Sequence, residues 1–202
     1  MEFTNKILIR IKGVSPKTKR LLSGLLLVLS PWILLFIVTT LISHNSISKS
    51  TPCWNDEISY WHEIKSFSSK GFDFGYYTMN EVPPQKLSFG THGFGTVSVY
   101  TAYAKMFGWN FNSIVIANNV FLSLAFLFLV LGVKLTTKKA LLITLFYLTY
   151  TPLILYCSTS MSELMNYSIV VVYFTLLYTY IIAGSNKNKI IGALIAFCFF
   201  IY

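Results

Sequence analysis

The sequence predicts an all-α fold: a polytopic bundle of at least five transmembrane helices, the fifth cut short, with a large outer loop that contains interfacial helices. Three observations predict it. The chain is 54% hydrophobic and 17% aromatic but only 11% charged over 202 residues, too apolar for a soluble domain of this size. Its apolar residues fall in unbroken runs close to the ~20 residues that cross a hydrocarbon core of ~30 Å. Its basic residues stand between those runs, in alternate connections.

Residues 1–20 form a basic tail with Lys6, Arg10, Lys12, Lys17, Lys19 and Arg20, and the first apolar run follows at 21–43. That run is longer than the apolar core of a signal peptide, and no small-x-small cleavage site follows it, so it reads as an uncleaved anchor. Pro31 lies inside it and is expected to kink the helix, a feature membranes tolerate where the freed carbonyl finds a new donor. Further runs occupy 113–133, 140–156 and 164–184, and none of the four contains Lys, Arg, Asp or Glu. A fifth begins at Ile190 and is still apolar at Tyr202, which reads as a truncated helix.

Lys134, Lys138 and Lys139 fill the connection 134–139, and Lys187 and Lys189 fill 185–189. With the tail, these are alternate loops, so the positive-inside rule places the N-terminus in the cytoplasm and the segments 44–112 and 157–163 outside, as in a bacterial plasma membrane. The net charge of +9 therefore reports topology. It does not indicate nucleic acid, since the cations punctuate apolar runs and do not line one soluble face.

A loop of this length is expected to contain structure of its own. Asn55 is a good N-cap, and Ile58, Trp61, Ile64 and Phe67 recur every three residues, predicting a surface helix over 55–69 with Asp56, Glu57 and Glu63 off the apolar stripe. Gly, Pro and aromatic residues over 71–95 predict an irregular wall or lid. A second interfacial helix is expected over 96–107, with Val97, Tyr100, Ala104 and Phe107 on one face and Lys105 snorkelling. No repeat, Walker loop, GxGxxG, HExxH or zinc-spaced cysteine pair is present, so soluble nucleotide chemistry has no support. Cys53 and Cys157 would both lie outside, where a disulfide is geometrically conceivable; Cys198 reads as a small apolar side chain.

The candidate chemistry rests on acids. Asp56 and Glu57 stand at a predicted helix start, where the macrodipole stabilises negative charge, and that role alone accounts for them. The alternative is a carboxylate at the membrane surface acting as general base toward a hydroxyl, or Asp56 as ligand to a divalent cation such as Mg²⁺ or Mn²⁺. Glu163 is the acid of the short outer segment, at the mouth of the fourth run, with Ser160 or Ser162 as alternative caps beside it. His62 and His92 are also outside, without metal-site spacing. His92 lies among glycines through which a phosphate can approach the backbone. Asn118, Asn119 and Asn166 fall within runs, where amides hydrogen-bond to neighbouring helices.

The sequence Trp54-Asn55-Asp56-Glu57-Ile58-Ser59-Tyr60-Trp61 after one anchor helix, followed by the segment Thr91-His92-Gly93-Phe94-Gly95 and by Ser162-Glu163, resembles the GT-C superfamily of polyprenyl-phosphate-sugar-dependent glycosyltransferases, which includes protein O-mannosyltransferases and the aminoarabinose transferases of lipid A. The resemblance spans 21–184, with Asp-Glu as its sharpest motif. It implies inverting transfer of a sugar from a lipid-linked donor to an envelope acceptor, with Asp56 as catalytic base or metal-binding acid, Glu57 orienting it, Glu163 as a further acid and His92 near the donor phosphate. Gly93-Phe94 stand where relatives carry prolines. Trp61, Tyr76 and Tyr77 offer sugar-stacking faces, although interfacial aromatics also serve as anchors. The alternative class is a non-enzymatic polytopic protein, a transporter part or an assembly partner; the complete runs lack the mid-membrane ionisable residues usual in ion-coupled transport.

Overall fold

A computed structural model of the chain describes residues 15–73, 93–183 and 188–201, and these residues are helical or irregular, with no strand among them. Helix α1, Pro16–Phe36, continues into a π-helical segment, Ile37–Ile42. It starts five residues before the apolar run because Ser15 caps it, accepting from the Thr18 N–H at 3.1 Å, with Pro16 at the first helical position, where a missing N–H costs nothing. Pro31 sits inside α1 without ending it. Its ring removes the donor for the Leu27 carbonyl, and the Ser30 hydroxyl supplies one at 2.6 Å. The repair comes from the adjacent residue and not from a neighbouring helix.

Two shorter helices follow: α2 over Asn55–Lys70 and α3 over Gly93–Phe107, which pack on each other. Then come α4 over Ser113–Val133, α5 over Thr137–Thr149, α6 over Thr151–Tyr156, α7 over Glu163–Ala183 and α8 over Asn188–Ile201. Among the described residues, three helices are long and apolar enough to cross a membrane, namely Pro16–Ile42, Ser113–Val133 and Glu163–Ile182. At 27 residues the first is about 40 Å long.

The run 140–156 forms two helices and not the one continuous helix its composition predicts. Pro152 lacks an N–H and its ring would collide with the carbonyl four residues back in a continuous helix. The chain instead becomes extended at Tyr150 (ψ 111°) and restarts with Pro152 in the first turn of α6. Helix α5 alone, at 13 residues, is about 20 Å long and falls short of a ~30 Å core.

The core joins Leu27 and Leu34 of α1, Leu122 and Phe126 of α4, Ala140 and Tyr147 of α5, and Leu153, Cys157 and Leu164 beyond them. Helices α1 and α4 approach closely: a Cβ on Gly24 would lie 3.0 Å from a Val130 methyl. Asn118 meets Met161 while Gly132 faces Thr175, so α4 and α7 run parallel, and the chain returns from the end of one to the start of the other through α5, packed on α1, and α6. A second cluster, Trp61, Ile64, Tyr100, Tyr103, Ile114, Ala117 and Met165, seats α2 and α3 on one end of the long helices.

Candidate functional site

Glu57 organises that end. It is 3% exposed, and both carboxylate oxygens accept from backbone N–H groups. Oε2 takes Cys53 at 2.7 Å and Trp54 at 3.1 Å, and Oε1 takes Ser160, 103 residues away, at 2.6 Å. The N-cap of α2 is Trp54, not the expected Asn55. Glu57 is thereby the third helical residue, from which a carboxylate reaches back to the cap N–H. The same side chain then staples the start of α2 to the turn between α6 and α7.

That turn is held from a second direction by α4. Asn119 donates to the Cys157 carbonyl at 3.0 Å and Asn118 to the Met161 carbonyl at 2.8 Å. The Asn118 oxygen accepts from the buried Tyr100 hydroxyl of α3. Burial, with the Glu163 charge as a lesser cause, raises the Tyr100 pKa far above the ordinary tyrosine value, so the hydroxyl stays a donor. Three side chains from two helices therefore fix backbone groups of Cys157, Ser160 and Met161, and α7 begins two residues later.

Asp56 is exposed and makes no hydrogen bond or ion pair with another described residue. Glu163 is half-buried at the start of α7, and its Oε2 is enclosed without a hydrogen-bond partner. The Glu57–Ser160 bond thus brings the first turn of α2, with Asp56, to the same end of the bundle as the first turn of α7, with Glu163. Glu63, off the apolar stripe in the sequence, is also buried, at 3% exposure.

Trp61 is committed to packing. Its indole donates to the Asn110 carbonyl at 2.9 Å, and its ring stacks on Phe111 (4.9 Å between centroids) and Trp109 (6.3 Å), with the Lys65 ammonium 4.7 Å from its centre. His62 is exposed and meets the Trp61 ring edge-on. His92, Tyr76 and Tyr77 lie outside the described residues. Phe107, expected on the buried face of α3, is 68% exposed, because the helix ends there and Gly108 (φ 82°) turns the chain toward α4; Tyr103 fills the inner face instead.

Cys53 and Cys157 are free thiols, one exposed and one buried. Burial pushes the Cys157 thiol up to about 12. Among the described residues no three of His, Cys, Asp and Glu come together as a metal-binding group. Both carboxylate oxygens of Glu57 are already held by N–H donors.

Below the acid end, Val99 of α3, Phe121, Ala125 and Phe128 of α4, Ile169 and Val172 of α7 and Phe197 of α8 line an apolar cavity of about 460 Å³. Sequence reading missed the Tyr100–Asn118–Met161 chain and the Ser160 contact. The paired asparagines in an otherwise apolar run were the available signal, since amides there need partners. No family model, curated protein or solved structure matches this chain. What the fold itself defines is a helical bundle in which three helices among the described residues are long and apolar enough to cross a membrane.

Proposed function

We propose that this chain is an integral membrane glycosyltransferase of GT-C type that moves a sugar from a polyprenyl-phosphate donor to an envelope acceptor on the outer face. The observation that carries the reading is the Glu57–Ser160 bond, which holds an exposed carboxylate, Asp56, at the same end of the membrane helices as Glu163. The apolar cavity beginning beside α3 and running between α4, α7 and α8 has the chemistry to receive a lipid tail, which would keep the sugar-phosphate near the acids.

In this reading the acceptor hydroxyl attacks the anomeric carbon from the face opposite the phosphate. A new carbon–oxygen bond forms as the bond to the lipid phosphate breaks, and the polyprenyl phosphate leaves with the electron pair. Asp56 takes the hydroxyl proton, a general-base role that contributes about 10²- to 10⁴-fold in rate. Glu57 touches no reacting atom and positions Asp56.

A second reading, a non-enzymatic polytopic protein such as a transporter part or assembly partner, is favoured by one observation: both oxygens of Glu57 serve the backbone, so half of the acidic motif has a structural occupation. The two separate in an assay of membranes containing the chain with a labelled polyprenyl-phosphate sugar. Transfer that falls about 10²-fold or more in Asp56→Asn, with the protein still folded, supports the enzyme. Transfer undiminished by that change removes Asp56 from the mechanism.

A further inference from the structure

The two ends of the bundle differ in charge. Gly24 faces Val130 across the α1–α4 contact, and these helices run antiparallel, with Ile47 beyond the far end of α1 meeting Asn112 at the start of α4. One turn from Gly24 toward the N-terminus is Arg20, and one turn past Val130 is Lys134, so both emerge at one level. Lys17 and Lys19 extend the group along α1, and Lys138 and Lys139 add to it from the first turn of α5, which packs along α1. Lys19 is half-buried and the other five are exposed. None pairs with another described residue, and the described acids Asp56, Glu57, Glu63, Asp73 and Glu163 belong to segments at the opposite end.

Two features of this end are unfavourable to the chain by itself. Lys134 closes α4 in the left-handed region, φ 52°, where a side chain is strained and glycine is the common choice. Helices α1 and α5 have no acid in their first turns and carry cations there, against the sense the helix dipole favours. Negative charge brought to this end relieves the second conflict and gives the Lys134 ammonium a partner.

The surface next to the cations identifies the source of that charge. Leu21, Leu22 and Leu25 of α1, Leu131 of α4 and Leu141 and Leu142 of α5 are exposed between 45% and 72%. A ligand that meets cations at one level and leucines immediately beyond has an anionic head and hydrocarbon tails. We propose that this end is a docking surface for anionic phospholipids, phosphate against Arg20, Lys134, Lys138 and Lys139 and acyl chains along the leucines. The proposal holds whether or not the chain transfers sugars.

The test uses the whole chain in phosphatidylcholine bilayers with trace spin-labelled phosphatidylglycerol or phosphatidylcholine, comparing the fraction of each label immobilised at the protein surface. Phosphatidylglycerol is expected to be preferred by about threefold or more at low salt. The preference should fall to near parity at about 1 M salt, where the Debye length is about 3 Å. Equal association at low salt, or a preference indifferent to salt, overturns the proposal. The triple change Lys134→Gln, Lys138→Gln, Lys139→Gln should at least halve the preference, and full retention in a folded variant also overturns it. If that variant does not fold, the salt titration of the native chain decides. Inorganic phosphate should displace the lipid no better than chloride at equal ionic strength; selective displacement would make free phosphate the ligand and contradict the lipid assignment.

Discussion

The acid end and the basic end of this bundle treat polar groups in opposite ways. At the acid end, Glu57, Asn118, Asn119 and Tyr100 are buried, and each makes named hydrogen bonds to backbone or to one another, while the enclosed Glu163 Oε2 and Asn119 Oδ1 have none. At the basic end, six cations surround the helix ends with no described partner. Buried polar groups specify geometry because leaving them unmatched is costly. Exposed cations specify surroundings, since their energy depends on what lies outside the protein. One end is built as a site, the other as a face.

The comparison breaks most readily at Glu57. Replacement by Ala leaves the Ser160, Cys53 and Trp54 N–H groups without their acceptor, and a loss of about 3 kcal/mol or more is expected from a buried, charge-assisted set of this kind. Thermal unfolding followed by the fluorescence of the four tryptophans, Trp32, Trp54, Trp61 and Trp109, measures it; a change below about 0.5 kcal/mol would mean the staple does not hold the turn. Gly24→Val comes next. Its side chain must enter space already filled by a Val130 methyl 3.0 Å from an ideal Cβ, and overpacking is expected to cost about 2 kcal/mol. An unchanged melting temperature would show that α1 and α4 separate freely.

Asn118→Ala deprives the Tyr100 hydroxyl and the Met161 carbonyl of their shared partner, at about 1 kcal/mol by the scale of membrane-protein hydrogen bonds. Combined with Tyr100→Phe it should be less than additive, because one network is removed twice; full additivity would argue against the chain of bonds. The smallest expected effect on stability is that of Asp56→Asn, within about 0.5 kcal/mol for an exposed side chain without partners. A large loss there would show a structural duty that the geometry does not contain.

Much of the architecture was legible because it depends on local rules. Runs without charge gave the three long helices, and the three-residue recurrence of Ile58, Trp61, Ile64 and Phe67 gave the apolar part of the buried face of α2, with Ile58 half-buried, but not Glu57 and Glu63, which are buried with it. The rest depended on tertiary contact or on one residue read too lightly. Pro152 splits the run 140–156, although composition alone marks it as continuous. Asn55 has the better capping chemistry, yet Trp54 is the cap, because Glu57 gains a second anchor at Ser160 that no local pattern reveals. Trp61 has the ring expected of a sugar platform, but Phe111, Trp109 and Lys65 already contact it. The acids were found by type and position; which of them is saturated and which is open was visible only once the α6–α7 turn had been placed against α2.

The central claim is that the two ends lie on opposite sides of a membrane, the Glu57 end outside and the Arg20–Lys134 end inside. An impermeant thiol reagent applied to intact cells tests it directly, and native Cys53, exposed at the acid end, is the internal probe. Cys157, buried with its thiol pushed up to about 12, should stay unlabelled near neutral pH. The account predicts labelling of Cys53 and of Ser69→Cys from outside, with Lys138→Cys reacting only after the membrane is permeabilised. Labelling of Lys138→Cys in intact cells, with Cys53 protected, would contradict it.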